Sequence, residues 1–87
     1  MKRSQKFLPV SAEHLKSWAK ENPKIVKRIL ELLNNIDQTP FEGLGKPEPL
    51  KHEFKGKWSR RIDEKHRQIY EVADAEIIIY SCTGHYE

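Results

Sequence analysis

Eighty-seven residues suffice for one small domain, spanning 1–87, and not for two. A composition that is 37% hydrophobic and 33% charged fits a folded chain with a modest core and little spare apolar surface. The formal net charge of +3 hides a local bias, since eight of the 16 Lys and Arg residues lie between Lys46 and Arg67 against four acidic residues there. Such a field attracts polyanions, although an ordinary solvated surface can carry the same charges.

The longest apolar run, Ile77 to Tyr80, has the length of a strand, so no membrane span is expected. Residues 1–6 are basic and lack the apolar stretch of a secretory signal. Cys82 stands alone, which excludes an internal disulfide and makes a reducing cytoplasm the simplest setting. Residues 7–10 read as a short edge strand limited by Pro9. Ser11 is then the expected N-cap of a first short helix, with Glu13 near its positive end and Leu15, Trp18 and Ala19 on one face.

A second helix starts more clearly, with Asn22 as cap and Pro23 in the first helical position. Ile25, Ile29, Leu32, Leu33 and Ile36 recur at helical spacing and predict its core face. Between residues 37 and 49 stand Pro40, Gly43, Gly45, Pro47 and Pro49, which predict a long ordered loop pinned by Phe41 and Leu44. Strands are expected around 52–54, 57–62, 66–72 and 76–82, with turns near Gly56, Glu64 and Asp74. Two helices followed by a run of strands predict an α+β fold, with the helices packed on one face of a twisted antiparallel sheet. Strand alternation separates Ser59 and Arg61 from Trp58, Arg60 and Ile62, so arginines stand on sheet faces, where they suit phosphates.

The chemistry is bounded by what is missing. His14, His52, His66 and His85 are widely spaced and no second Cys accompanies Cys82, so neither a metal site nor a cofactor is expected. Cys82 lies among apolar strand residues and reads as a buried, inert thiol. Cleaving RNA without a metal requires a base for the 2′-OH, cations for the phosphorane charge and an acid for the leaving 5′-oxygen. Glu48, held between two prolines, is a candidate base. Arg61 and Arg67, on neighbouring predicted strands, are candidate phosphate ligands. His85 is a candidate acid and Tyr86 a candidate stacking ring. Each also has a plainer reading. Glu48 fits a surface carboxylate, Arg61 and Arg67 fit cross-strand partners of Asp63 or Glu71, and residues 85–86 fit a frayed tail.

Longer motifs narrow these alternatives. Thr39-Pro40-Phe41-Glu42-Gly43, then Gly45-Lys46-Pro47-Glu48-Pro49-Leu50-Lys51-His52, then Trp58-Ser59-Arg60-Arg61-Ile62, then His66-Arg67 with Tyr70, and finally His85-Tyr86, closely resemble the YoeB (Txe/YoeB) family of toxins. With Trp18 and the Ile25-Val26-Lys27 region included, the resemblance spans about residues 11 to 86. That family lies in the RelE-like superfamily of type II toxin–antitoxin systems. The resemblance implies a two-helix, antiparallel-sheet fold and a toxin that cuts mRNA in the A site of the 70S ribosome, stopping translation. It implies Glu48 as general base, His85 as general acid, Arg67 as transition-state ligand, Lys51 and Arg61 as basic residues around the phosphate, and Tyr86 as the terminal aromatic. It also implies a cognate antitoxin of YefM/Axe type with an acidic disordered tail, and leaves a homodimer open. Three features depart from the family pattern: Ser4-Gln5-Lys6-Phe7 is mostly polar, which predicts a short or shifted first strand, Glu87 follows Tyr86, and residues 53–57 differ in detail in a hairpin away from the chemistry. The competing classes are a non-catalytic basic RNA-binding module and a ParE-like toxin directed at gyrase.

Overall fold

The computed structural model describes residues 3–84. The elements run β1 (Ser4–Phe7), α1 (Pro9–Glu21), α2 (Pro23–Gln38), β2 (Glu48–Pro49), β3 (Trp58–Arg61), β4 (Arg67–Val72) and β5 (Glu76–Ser81), with one 3₁₀ turn at His52–Phe54. The strands form one sheet in the order β1-β5-β4-β3-β2. Neighbours are antiparallel except β1, which runs parallel to β5 with Ser4 opposite Glu76 and Phe7 opposite Ile79. The expected α+β architecture is therefore present, with one parallel edge made possible by the two helices that carry the chain back across the sheet.

The start of α1 differs from expectation. Pro9 does not end a strand but occupies the first turn of the helix, where its missing N–H is harmless, and Leu8 takes the cap position in extended conformation. Ser11 lies inside α1 and is fully buried. Its hydroxyl sits 2.6 Å from the carbonyl oxygen of Ile79 and 3.0 Å from that of Leu8, so it ties the helix to β5. Ala19, expected on the inner face with Leu15 and Trp18, is exposed. Asn22 separates the helices as expected, but its side chain makes no capping bond; its backbone N–H donates to Trp18 O and its carbonyl accepts from Ile25 N.

The stripe on α2 is fully buried, as its spacing predicts: Ile25, Ile29, Leu32, Leu33 and Ile36 pack on Ile62, Tyr70, Ile77, Ile79 and Cys82 from the sheet. Each such aliphatic side chain contributes about 1.5–3 kcal/mol on burial. Strand register puts Trp58, Tyr70, Ile79 and Phe7 on this covered face. The opposite face then carries Glu48, Ser59, Arg61, Arg67, Ile69 and Glu71.

Two further expectations change. Residues 52–54 form a 3₁₀ turn, and the strand in that region is the two-residue β2 at Glu48–Pro49. Phe41 and Leu44 do not pin the loop; they are 53% and 45% exposed, although the Phe41 ring rests 4.8 Å from that of Trp58. The pin is Arg60, wholly buried under the loop. Its five N–H groups reach Tyr70 Oη, Asn35 Oδ1 and the carbonyls of Leu44, Thr39 and Glu42. Tyr70 in turn donates to Pro40 O at 2.8 Å. At Gly45 the loop touches β3, its carbonyl accepting from Arg61 N at 2.6 Å. A Cβ there would lie 3.0 Å from Arg61 O and from Leu32 Cδ2, and φ is +78°, so glycine is required.

Candidate active site

The loop held by Arg60 delivers Glu48 to the sheet edge, where it pairs with Ser59. Its carboxylate is therefore carried on a short edge strand paired with β3. Two residues along β3 stands Arg61, directly opposite Arg67 of β4. The N–H of Arg61 goes to Gly45 O and that of Arg67 to Gly84 O, both away from each other. Such a non-hydrogen-bonded antiparallel pair sets Cα atoms about 4.5 Å apart. From strand and residue spacings, the Glu48 Cα lies about 8 Å from that of Arg61 and about 12 Å from that of Arg67. Long side chains on one face close much of that gap.

The carboxylates offered by the plainer sequence reading are engaged elsewhere. Asp63 Oδ1 accepts from the backbone N–H of Lys65 and His66, at 2.9 and 2.7 Å, and shapes the β3–β4 turn. Glu71 accepts the Tyr80 hydroxyl at 2.6 Å, and that hydrogen bond, with burial adding to it, raises the Tyr80 pKa. The outer face therefore concentrates two guanidinium groups beside a carboxylate. Lys51 is exposed just after β2, at the start of the 3₁₀ turn. Alongside this charged band lies an open apolar depression of about 430 Å³ whose walls include Phe54, Lys57, Ile69 and Tyr80. The Lys57 ammonium sits 4.7 Å above the Tyr80 ring.

His85 and Tyr86 lie outside the described residues. The segment that leads to them is well defined. The imidazole Nδ1 of His14 accepts from Cys82 N at 3.1 Å, and Trp18 Nε1 donates to Cys82 O at 2.9 Å. His66 Nδ1 lies 3.1 Å from Gly84 N and 3.0 Å from Thr83 Oγ1, and its ring meets the Trp18 indole edge-on at 4.9 Å. Partial burial lowers the His14 pKa, which favours its neutral, accepting form. Cys82 is fully buried and its thiol is pushed up to about 12 by that burial, so it is the inert thiol expected. Among the described residues no group of three metal-ligating side chains converges, and no helix is long and apolar enough to cross a membrane.

Sequence reasoning missed the tail-holding role of His14 and His66, because each acts on a backbone N–H that only the folded register brings near. The alternation of β3 separated Arg60 from Arg61, but it could not say which of the two faces the helices cover.

Comparison with known proteins places these features in a wider set. Residues 7–86 match the family model described as YoeB-like toxin of bacterial type II toxin–antitoxin system. Toxin YoeB of Escherichia coli strain K12 is 52% identical over 69 residues, covering 79% of this chain and 82% of the relative. The YoeB dimer structure from Staphylococcus aureus superposes with a TM-score of 0.93 at 42% identity, covering 99% of this chain and 100% of that one. A YoeB–YefM complex from the same organism gives a TM-score of 0.89 at 44% identity, with 99% and 100% covered.

Proposed function

This chain belongs to the YoeB-like toxins of bacterial type II toxin–antitoxin systems, and from that membership we propose that it is a ribosome-dependent, metal-independent mRNA endoribonuclease. The observation that carries the reading is the Arg61–Arg67 pair in register beside Glu48 on the uncovered sheet face. Two guanidiniums on one sheet face suit the non-bridging oxygens of a phosphodiester.

In the reaction, the Glu48 carboxylate takes the proton of the ribose 2′-OH as its oxygen attacks the adjacent phosphorus. Arg61 and Arg67 hold the charge on the non-bridging oxygens, and Lys51 adds a further cation at the edge. The P–O5′ bond breaks as His85 protonates the departing oxygen, with Tyr86 stacking on a base of the cut codon. The products are a 2′,3′-cyclic phosphate and a free 5′-hydroxyl. Both protons are accounted for and no oxidant or metal is needed. The ribosome supplies the second half of the site by presenting mRNA in an extended, unstacked form in its A site.

A basic nuclease of this kind requires neutralisation. The YefM partner of the Staphylococcus aureus relative supports a cognate antitoxin here, whose acidic, disordered tail folds over the arginine-bearing face. Pairing of two copies, as in the Staphylococcus aureus dimer, belongs to the same reading and is checked by light scattering.

The test is toeprinting with purified protein on programmed ribosomes, followed by analysis of the cut ends. A cut within the A-site codon leaving a 5′-hydroxyl is expected. Bound but uncut mRNA would favour a binding module, and intact mRNA with broken DNA would favour the gyrase-directed alternative.

A further inference from the structure

His66 and Arg67 are consecutive residues at the start of β4, and together they grip one residue of another segment. The Gly84 N–H is 3.1 Å from His66 Nδ1, and the Gly84 carbonyl accepts the Arg67 N–H at 2.9 Å. A backbone N–H can only donate, so Nδ1 presents its lone pair and a neutral His66 carries its proton on Nε2. The Thr83 hydroxyl, 3.0 Å from the same nitrogen, completes the contact.

His66 is itself held on several sides. Its N–H donates to Asp63 Oδ1 at 2.7 Å, its carbonyl accepts from Ile62 N at 2.9 Å, and its ring stands edge-on to Trp18. The imidazole is thus a fixed acceptor on a rigid hairpin. Gly84 has φ +82°, yet a Cβ built there meets nothing within 4 Å. The glycine answers to a backbone direction and not to crowding. Gripped on both its polar groups, it aims the chain at one exit angle, and the next residue in sequence is His85.

We infer that His66 is a positioning residue: its Nδ1, by accepting the Gly84 N–H, fixes the backbone of the residue that precedes the acid His85 in sequence. The inference rests on the proposed nuclease reading, and it gives His66 no part in proton transfer. The same hairpin carries Arg67 and the acceptor for Gly84, so the phosphate ligand and the residue before the acid are held by one element. A displacement of about 1 Å at a reacting group can cost about 100-fold in rate.

The experiment compares His66→Asn, His66→Gln and His66→Leu in the full chain. Asn can place an acceptor oxygen where Nδ1 stands, Gln places it nearer Nε2, and Leu offers none. Two quantities are read: hydrogen exchange at the Gly84 amide, and single-turnover cleavage on programmed ribosomes across protein concentrations. His66→Leu and His66→Gln are expected to lose Gly84 protection and to cut about 10–100-fold more slowly at saturation. The concentration for half-maximal cutting should not move. His66→Asn is expected to recover both protection and most of the rate.

Should His66→Leu fail to fold, the Asn and Gln pair decides the matter alone. Wild-type cutting that is indifferent to these variants, despite loss of Gly84 protection, overturns the role and leaves the nuclease reading intact. A His66→Asn protein with restored protection and no restored rate also overturns it. Intact mRNA with the wild-type protein overturns the nuclease reading, and this role with it.

Discussion

Arg60→Met keeps much of the side chain's length and removes all five donors. Of the five acceptors it leaves, the carbonyls of Glu42 and Leu44 belong to exposed residues, where water can replace the guanidinium. Tyr70 is fully buried and Asn35 and Thr39 are half-buried, so Tyr70 Oη, Asn35 Oδ1 and Thr39 O are left in a drier setting. Asn35 Oδ1 keeps the Leu44 N–H, Thr39 O the Glu42 N–H and Tyr70 Oη its bond to Pro40 O, so each loses one charged hydrogen bond; at about 1.5–3 kcal/mol apiece, with some rehydration, the loss is about 3–6 kcal/mol. A domain of this length has a total stability of roughly 4–13 kcal/mol, so the variant should fold weakly or not at all. Arg60→Lys restores the charge and up to three donors, and should recover about half of the loss. Urea unfolding followed by Trp18 and Trp58 fluorescence measures both, read as a shift in midpoint at unchanged slope. Arg61→Met is the control one residue away: exposed on the outer face, it should change stability by less than about 0.5 kcal/mol while cutting drops sharply. A loss below about 1 kcal/mol for Arg60→Met, or equal losses for the two arginines, would refute the division of labour.

Glu48→Gln preserves shape and removes the proposed base; single-turnover cleavage should fall by about 10²–10⁴-fold with the melting temperature unmoved. Retained cutting would remove Glu48 from the chemistry. The side-chain amide of Gln68 is buried with neither its nitrogen nor its oxygen hydrogen-bonded among the described residues, so Gln68→Met should raise stability by about 1 kcal/mol in urea titration. A lower midpoint would mean the amide is satisfied in solution. Burial lifts the Cys82 pKa from an ordinary value near 9.0 to about 12. The folded state then keeps a proton that the unfolded state sheds between those values, so stability is full below pH 9 and falls as pH rises toward 12. Cys82→Ala should flatten part of that decline in pH-dependent melting, Tyr70, whose pKa burial raises, and Tyr80, whose bond to Glu71 raises its own, supplying the rest. An unchanged alkaline slope would contradict the assignment.

The core of α2 was legible because one period governed five buried positions and nothing competed with it. Fold class followed from element order alone. Ser11 was misplaced because a serine before an apolar stretch is an N-cap signal, while Pro9 at the first helical position is an equally good one and here prevails. The 3₁₀ turn at His52–Phe54 resembled a strand because three residues cannot establish a period. The parallel placement of β1 was not readable, since its partner is chosen by a crossover and not by its own polar residues. At the site, residue types identified Glu48, Arg61 and Arg67, and register brought them to one face. His85 and Tyr86 were also offered by residue type and lie outside the described residues, and family resemblance added Lys51. The grip of His66 on Gly84 had no sequence signal, because an imidazole meeting a distant amide leaves no spacing to detect.

The parallel pairing of β1 with β5 also orders events in time. Ser4 finds its partner in Glu76, so a nascent chain holds β1 unmatched until β5 has left the exit channel. Gly84, gripped by β4, emerges later still. The sheet therefore stays open along one edge until residues more than seventy positions apart have met, a long loop closure that slows folding.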